Sequence, residues 1–252
     1  MNLIRVARLD LTLLWRNKTG MFTVVGMPVL FGSLLLAGGD DALHQGTAIL
    51  GIFLIFAVFT HLTSVFTARR EDYSLKRLRG TALSDVEILG GSILAAAGMY
   101  ALQALALLIV MGTALGGGFP ADPLLLIAGL ACGVALFALL AFVISGISPT
   151  AESTQLTVLP LMFACMAGVL FPLEGMSAPV QELARWVPLT PVVEITKTAY
   201  FGQDFTTFGA HPELGFADAW VACLRSFAVL AVWALLGRAL AGRLFRWEPR
   251  HA

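Results

Sequence analysis

The chain has 252 residues, 58% of them hydrophobic and 13% charged, with sixteen basic and sixteen acidic side chains and no net charge. A soluble domain carries roughly 25% charged residues, so this balance excludes an ordinary soluble globule and is that of a membrane protein. The neutral total gives no electrostatic footing for nucleic acid. The information lies in where the charges sit, and they sit in clumps.

The first eighteen residues are basic. On a helical wheel Arg5, Arg8, Thr12 and Arg16 share one narrow face, with Leu3, Ala7, Leu11 and Leu14 roughly opposite. That is the pattern of an amphipathic helix in the headgroup layer, over 1–18. Asp10 falls on the wrong face, and a partner from another element would relieve its burial. Basic residues ahead of an apolar run also suit a signal peptide. Here the run is long and no A-x-A cleavage pattern comes after it, so the segment is read as retained.

A bilayer core about 30 Å thick needs about 20 helical residues, because unpaired backbone groups are not tolerated in lipid. Uncharged runs reach that length from Thr19 to Gly39, Ala42 to Ala68, Ile88 to Ala121, Pro123 to Ala151 and Ser153 to Leu173. A weaker sixth runs from Ala219 to Gly237 and holds Arg225 near one end, where a long side chain snorkels to the interface. Cys132, Cys165 and Cys223 each lie inside an apolar stretch without a CxxC pair, as small buried hydrophobes do.

Six spans place thirteen of the sixteen Lys and Arg on one side: four at the N-terminus, Arg69, Arg70, Lys76, Arg77 and Arg79 after the second span, and Arg238, Arg243, Arg246 and Arg250 at the C-terminus. Arg185, Lys197 and Arg225 fall on the other side with nine carboxylates. Loops rich in Lys and Arg stay in the cytoplasm, so both termini are expected there. The fold expected is an all-α membrane protein and a single transmembrane domain over 1–252. It has six transmembrane helices, an interfacial helix at the start and short outer-face helices between spans five and six.

Those outer helices are read from 174–202. MSAPVQELARWVP, too short and polar to span, repeats Val180, Leu183, Ala184 and Val187 at helical spacing. PVVEITKTAYFG then has Thr190 as a candidate N-cap, Pro191 at the first position and Gly202 as a stop.

Catalytic motifs are missing. The chain contains no GxxxxGK[ST], HExxH or GxSxG, so any nucleotide energy has to come from elsewhere. His61 with Ser64 or Ser145 has the residue types of an intramembrane nucleophile, but neither an oxyanion-hole signal nor a third orienting group accompanies them. The competing reading is a structural or pore-lining histidine. The charge cluster after the second span equally suits a topology signal held to anionic lipid.

Residue order is more specific. RREDYSLKRLRGTALSDVEILGG resembles the first cytoplasmic loop of the ABC type-2 transporter permeases, with Arg70, Glu71, Leu75, Leu78, Thr81, Leu83 and Ser84 matching. Tyr73 stands where that family commonly has Gly, and Ala82 where it commonly has Pro. The stretch LPLMFACMAGVLFPLEGMSAPVQELARWVPLTPVVEITKTAYFG resembles the family's fifth span and outer helices, through Gly168, Pro172, Met176, Pro188, Leu189, Thr190, Glu194, Lys197 and Gly202. WRNKTGMFTVVGMPVLF and the amphipathic start are also similar, so the likeness covers nearly the whole chain.

The resemblance implies a permease subunit in a bacterial plasma (inner) membrane, without cofactor of its own. It would pair with a second permease chain, expected as a homodimer, and with a separate ABC ATP-binding subunit that carries ATP and magnesium. It implies that 69–85 is the ATPase-coupling loop, with Arg69, Arg70, Glu71, Tyr73, Leu75, Lys76, Leu78, Arg79, Thr81 and Leu83 as its docking residues. The second and fifth spans would supply a translocation path at Thr60, His61, Ser64, Met162, Phe163 and Met166, with an outer gate at Phe171, Pro172, Glu174 and Met176. The cargo expected is a hydrophobic small molecule, as in drug or antibiotic efflux. The alternatives are export of a lipid-linked glycan or polysaccharide, an intramembrane enzyme centred on His61, and a regulatory membrane protein without cargo.

Overall fold

The computed structural model describes residues 2–36, 39–73, 84–170 and 176–244. Of the sequence-predicted residues, Leu75, Lys76, Leu78, Arg79, Thr81, Leu83, Phe171, Pro172 and Glu174 lie outside the described residues, as do Arg246 and Arg250.

The chain starts with α1 (Asn2–Arg16). Asn17 stops it and caps the next helix, its Oδ1 accepting from the Gly20 N–H at 3.0 Å. Helix α2 joins Lys18–Met21, a π-helical stretch Phe22–Gly26, and Met27–Leu36. Helix α3 is Ala42–Glu71, π-helical over Ile55–Thr60. Then come α4 (Asp85–Thr113), α5 (Pro123–Ile147), α6 (Ala151–Leu170), α7 (Ala178–Arg185), α8 (Thr190–Phe201), α9 (Phe216–Ala222) and α10 (Leu224–Leu244). Among the described residues the fold is all-helical, apart from an isolated bridge between Gln203 and Glu213.

The helix starts come from local chemistry. Ser84 and Glu87 form a capping box at α4, with the Glu87 N–H on Ser84 Oγ and the Ser84 N–H on Glu87 Oε2 at 2.9 Å. Asp122 caps α5 through the Leu125 N–H at 2.9 Å, and Pro123 fills the first turn. Helix α8 ends at Gly202, whose φ of 68° is the left-handed conformation that glycine enters without strain. Thr190 does not cap α8. It is already helical, Leu189 occupies the cap position, and Thr190 Oγ1 is buried without a hydrogen-bond partner among the described residues.

Among the described residues, four helices are long and apolar enough to cross a membrane: Ala42–Glu71, Glu87–Thr113, Pro123–Ile147 and Leu224–Leu244. The apolar part of α2, Lys18–Leu34, is shorter. At 20 residues α6 has the length of a span, but its first two turns, AESTQLT, are polar. The weak sixth span expected from Ala219 is two pieces, α9 and α10, and only α10 is long enough.

Helix α3 is the centre of the bundle. Leu50, Ile52, Leu54, Ile55, Ala57, Val58, Phe59 and Leu62 are all fully buried, spread around the helix without a polar face. Glycines let neighbours approach closely, as small residues do between membrane helices. A Cβ on Gly51 would lie 2.8 Å from Val193 Cγ2, on Gly129 2.5 Å from Ile195 Cγ2, and on Gly133 2.8 Å from Leu54 Cδ1. So α8, although short, is wedged against α3 and α5.

Helix α1 is also packed. A Cβ on Gly91 of α4 would stand 2.5 Å from Val6 Cβ. The buried stripe of α1 is Val6, Ala7, Asp10 and Leu14, whereas Leu11 is exposed with Ile4, Leu9, Leu13 and Trp15. The helical wheel places the apolar face roughly opposite the arginines. Packing on α4 rotates the buried side toward Asp10, which meets Arg69 of α3. Cys132 is likewise a correction: it is exposed, while Cys165 and Cys223 are buried.

Candidate functional site

A cavity of about 920 Å³ lies between α1, α2, α3 and α6. Its size is at the upper end of small-molecule pockets, roughly 300–1,000 Å³. Phe22, Val24 and Met27 from α2, Phe56 and Val65 from α3 and Met162 from α6 supply apolar walls. Asp10 and Asn17, Thr60, His61 and Ser64, and Gln155 supply sparse polar groups. Both π-helical stretches contribute, through Thr23 and Val24 on one side and Phe56 and Thr60 on the other. An i→i+5 turn leaves carbonyls off the regular ladder and recurs at functional sites. Here Gln103 of α4 donates its Nε2 to the Val24 carbonyl, while Thr60 Oγ1 is buried with no hydrogen-bond partner among the described residues.

Four of the six expected path residues, Thr60, His61, Ser64 and Met162, are brought together on this cavity. Phe163 points away and is 61% exposed, and Met166 packs against the core. Ser145 is elsewhere, donating to the Phe142 carbonyl at 2.8 Å. Of the expected outer gate, Met176 is described and is partly exposed.

The end of α3 beside this cavity carries three consecutive charged residues, each engaged within the chain. Arg69 Nη2 donates to Asp10 Oδ1 of α1, and its Nη1 donates to Ser92 Oγ of α4 at 2.8 Å. Arg70, 1% exposed, donates to the carbonyls of Ser145 and Ser148 at the end of α5, the first at 2.6 Å. Glu71 accepts from the Ala151 N–H at 2.7 Å, at the start of α6. A guanidinium suits a helix C-terminus and a carboxylate a helix N-terminus, because these ends carry partial charges of opposite sign. Asp10 has its carboxyl held above the usual range by burial, against the opposing effects of the Arg69 charge and of hydrogen bonds from Ser92 and Arg69.

Tyr73 comes next but one, with φ of 57°. Its N–H donates to the Arg70 carbonyl at 3.1 Å, closing the helix after Asp72. The backbone therefore makes the left-handed turn for which glycine is the usual residue, and a tyrosine makes it at a cost of about 1 kcal/mol.

At the opposite end the fixing groups are carboxylates. Asp122 Oδ2 accepts from the Trp220 indole of α9 at 2.9 Å, in addition to capping α5. Glu194 of α8 accepts from Ser226 of α10 at 2.6 Å. Burial pushes the Glu194 carboxyl up to about 7, opposed by the Ser226 hydrogen bond and by the charges of Arg185 and Arg225. Arg225 is paired with Glu182 of α7. His44 stacks on Phe201 at 4.3 Å and His211 on Phe205 at 4.3 Å.

Sequence reasoning missed the parts of the cavity contributed by α1 and α2: Asp10, Asn17 and Met27. Its one signal was Asp10 on the wrong face of an amphipathic helix. Gln155, in a polar stretch at the start of α6, gave none.

A helical bundle with several membrane-length apolar helices, an open cavity among them and a charged helix end beside it suits a membrane transport component. Consistent with that class, a model of the family described as ABC-2 family transporter protein matches residues 38–243. The chain belongs to this family and is an ABC permease subunit, the membrane part of a system whose ATP-binding subunit is a partner. No curated protein matches the sequence.

Proposed function

We propose that this chain forms half of the translocation path of an ATP-driven exporter for hydrophobic small molecules, of the drug or antibiotic efflux type, in a bacterial inner membrane. The observation that carries the reading is the cavity with Thr60, His61, Ser64 and Met162 on its wall, directly beside the charged end of α3. A second copy of the chain completes the path. The arginine-rich end faces the cytoplasm, and ATP and magnesium are held by the separate subunit that docks on 69–85.

The contacts of Arg69, Arg70 and Glu71 supply a physical route for coupling. A push on the loop after Tyr73 reaches α1 and α4 through Arg69, the end of α5 through Arg70 and the start of α6 through Glu71. Helices α1 and α6 are two walls of the cavity, so the same motion changes its shape. In this reading Arg69, Arg70 and Glu71 act as positioning residues. The docking contacts themselves fall to the residues after Tyr73.

The test is co-expression with ABC ATPase subunits from the same genome, reconstitution in vesicles, and cysteine labelling at positions 60, 64, 162 and 163. The reading expects ATP-dependent uptake of hydrophobic dyes into inverted vesicles. Labelling at 60, 64 and 162 should be slowed by cargo and labelling at 163 should not. Cargo-insensitive labelling at all four positions, or ATP-driven movement of lipid-linked glycans and no dye, would overturn it.

A further inference from the structure

The cavity gathers its charges at one end and its free hydrogen-bonding groups beyond them. Among the described lining residues the charged side chains are Asp10, Arg69 and Asp72. Asp10 is ion-paired with Arg69 and hydrogen-bonded by Ser92, and Arg69 also donates to Ser92. These two charges cancel at close range. Asp72 is engaged as well, and it is exposed, where water and salt screen its charge. Past this end the walls are apolar, with Phe22, Val24 and Met27 facing Phe56 and Met162, and the polar interruptions are His61 and Ser64 of α3 and Gln155 of α6. None of these three side chains makes a hydrogen bond among the described residues.

From charges that are already neutralised and polar groups that are still free, we infer that the cavity takes uncharged amphiphiles bearing carbonyl or hydroxyl groups and discriminates against cations and anions of similar size. A hydroxyl, an amide and an imidazole supply both donors and acceptors, so they satisfy the oxygens of such a molecule without a counter-ion. A charge carried past Arg69 meets apolar walls and no opposite charge, which is a costly placement. At about 920 Å³ the cavity has room for a large uncharged molecule. A second copy of the chain brings an identical wall and with it the same balance of charge. The inference deepens the export reading and rests on it for the purpose of the site, since binding itself requires no nucleotide.

The test is equilibrium binding to the full chain in nanodiscs of phosphatidylcholine, measured against empty discs, with three fluorescent probes: uncharged Nile red, cationic tetramethylrhodamine ethyl ester and anionic 1-anilinonaphthalene-8-sulfonate. Saturable binding of Nile red is expected, about tenfold tighter than of either charged dye, and Ser64→Phe, which fills the chamber, should abolish it. Gln155→Glu places an unpaired carboxylate on the wall and should tighten the cationic dye about tenfold while leaving the anionic one excluded. Ser64→Asp does the same from α3 and keeps the test decisive if the first charged variant does not fold. Absence of saturable Nile red binding, a cationic or anionic dye bound as tightly as Nile red by the unaltered chain, or no gain for the cation from either carboxylate overturns the inference. ATP-driven transport of the cationic dye by the unaltered chain would sink this inference alone. Nile red binding that no ATPase converts into transport would sink the export reading alone.

Discussion

Where α3 ends, Arg70 and Glu71 sit on helix termini and Arg69 ties Asp10 to Ser92; where α5 begins, carboxylates receive an amide, an indole and a hydroxyl. Helix α5 spans this difference. Asp122 sits on its N-terminus and Arg70 on its last carbonyls, each matching the sign of the helix end it meets. The clumped charges thus serve helix polarity. The two ends also differ in titration. Arginine stays charged at any physiological pH, whereas Glu194, held near 7 by burial, changes state there.

The comparison is most sharply broken at Arg70. Arg70→Leu leaves the Ser145 and Ser148 carbonyls without their buried donor, and a loss on the order of 3 kcal/mol is expected. Thermal unfolding of the purified chain should drop sharply; an unchanged midpoint would mean the arginine end is not held by this residue. Next is Gly91→Leu, which drives a side chain into Val6. A loss of about 1–3 kcal/mol is expected from overpacking, together with faster proteolysis of α1 that Val6→Ala partly reverses.

Tyr73→Gly acts in the other direction, because it relieves the left-handed turn after Asp72. A gain of about 1 kcal/mol is expected, read as a raised unfolding midpoint, and a fall would show the tyrosine ring to matter more than its backbone.

At the carboxylate end the expected effect is a slope with pH. The folded Glu194 carboxyl lies above its unfolded value, so its stabilising contribution is complete below the unfolded value and is lost as pH rises through about 7. The unfolding midpoint should therefore fall between roughly pH 5 and pH 8, and Glu194→Gln should flatten that part of the profile. A slope that survives Glu194→Gln would place the titration elsewhere. The smallest effect belongs to Glu182→Gln. Its partner Arg225 is exposed like itself, and exposed pairs contribute little, so the midpoint should not move measurably even at low salt.

Much of the fold was legible. The apolar runs marked the long helices because a chain without charge over about twenty residues has no way to satisfy its backbone in lipid except as a helix. Ser84 with Glu87, Asp122 with Pro123, and Gly202 mark their helix ends through local hydrogen bonds and backbone freedom, which need nothing distant. The order of motifs carried the family; that Tyr73 makes a left-handed turn in place of the family's glycine came from the structure. The stretch from Ala219 misled because its charge count said nothing of the break between α9 and α10. Thr190 misled because the helix starts with it, leaving Leu189 in the cap position.

By itself the sequence determined that the chain is a helical membrane protein and where four of its long helices run, since these depend on composition and on interactions within a few residues. Only the tertiary structure decided that Asp10 meets Arg69, that Arg70 closes α5, that α8 wedges against Gly51 and Gly129, and that α1 and α2 wall the cavity. Those contacts join residues 59 and 75 positions apart in the first two cases. They depend on how rigid helices cross, which no local pattern of side chains encodes.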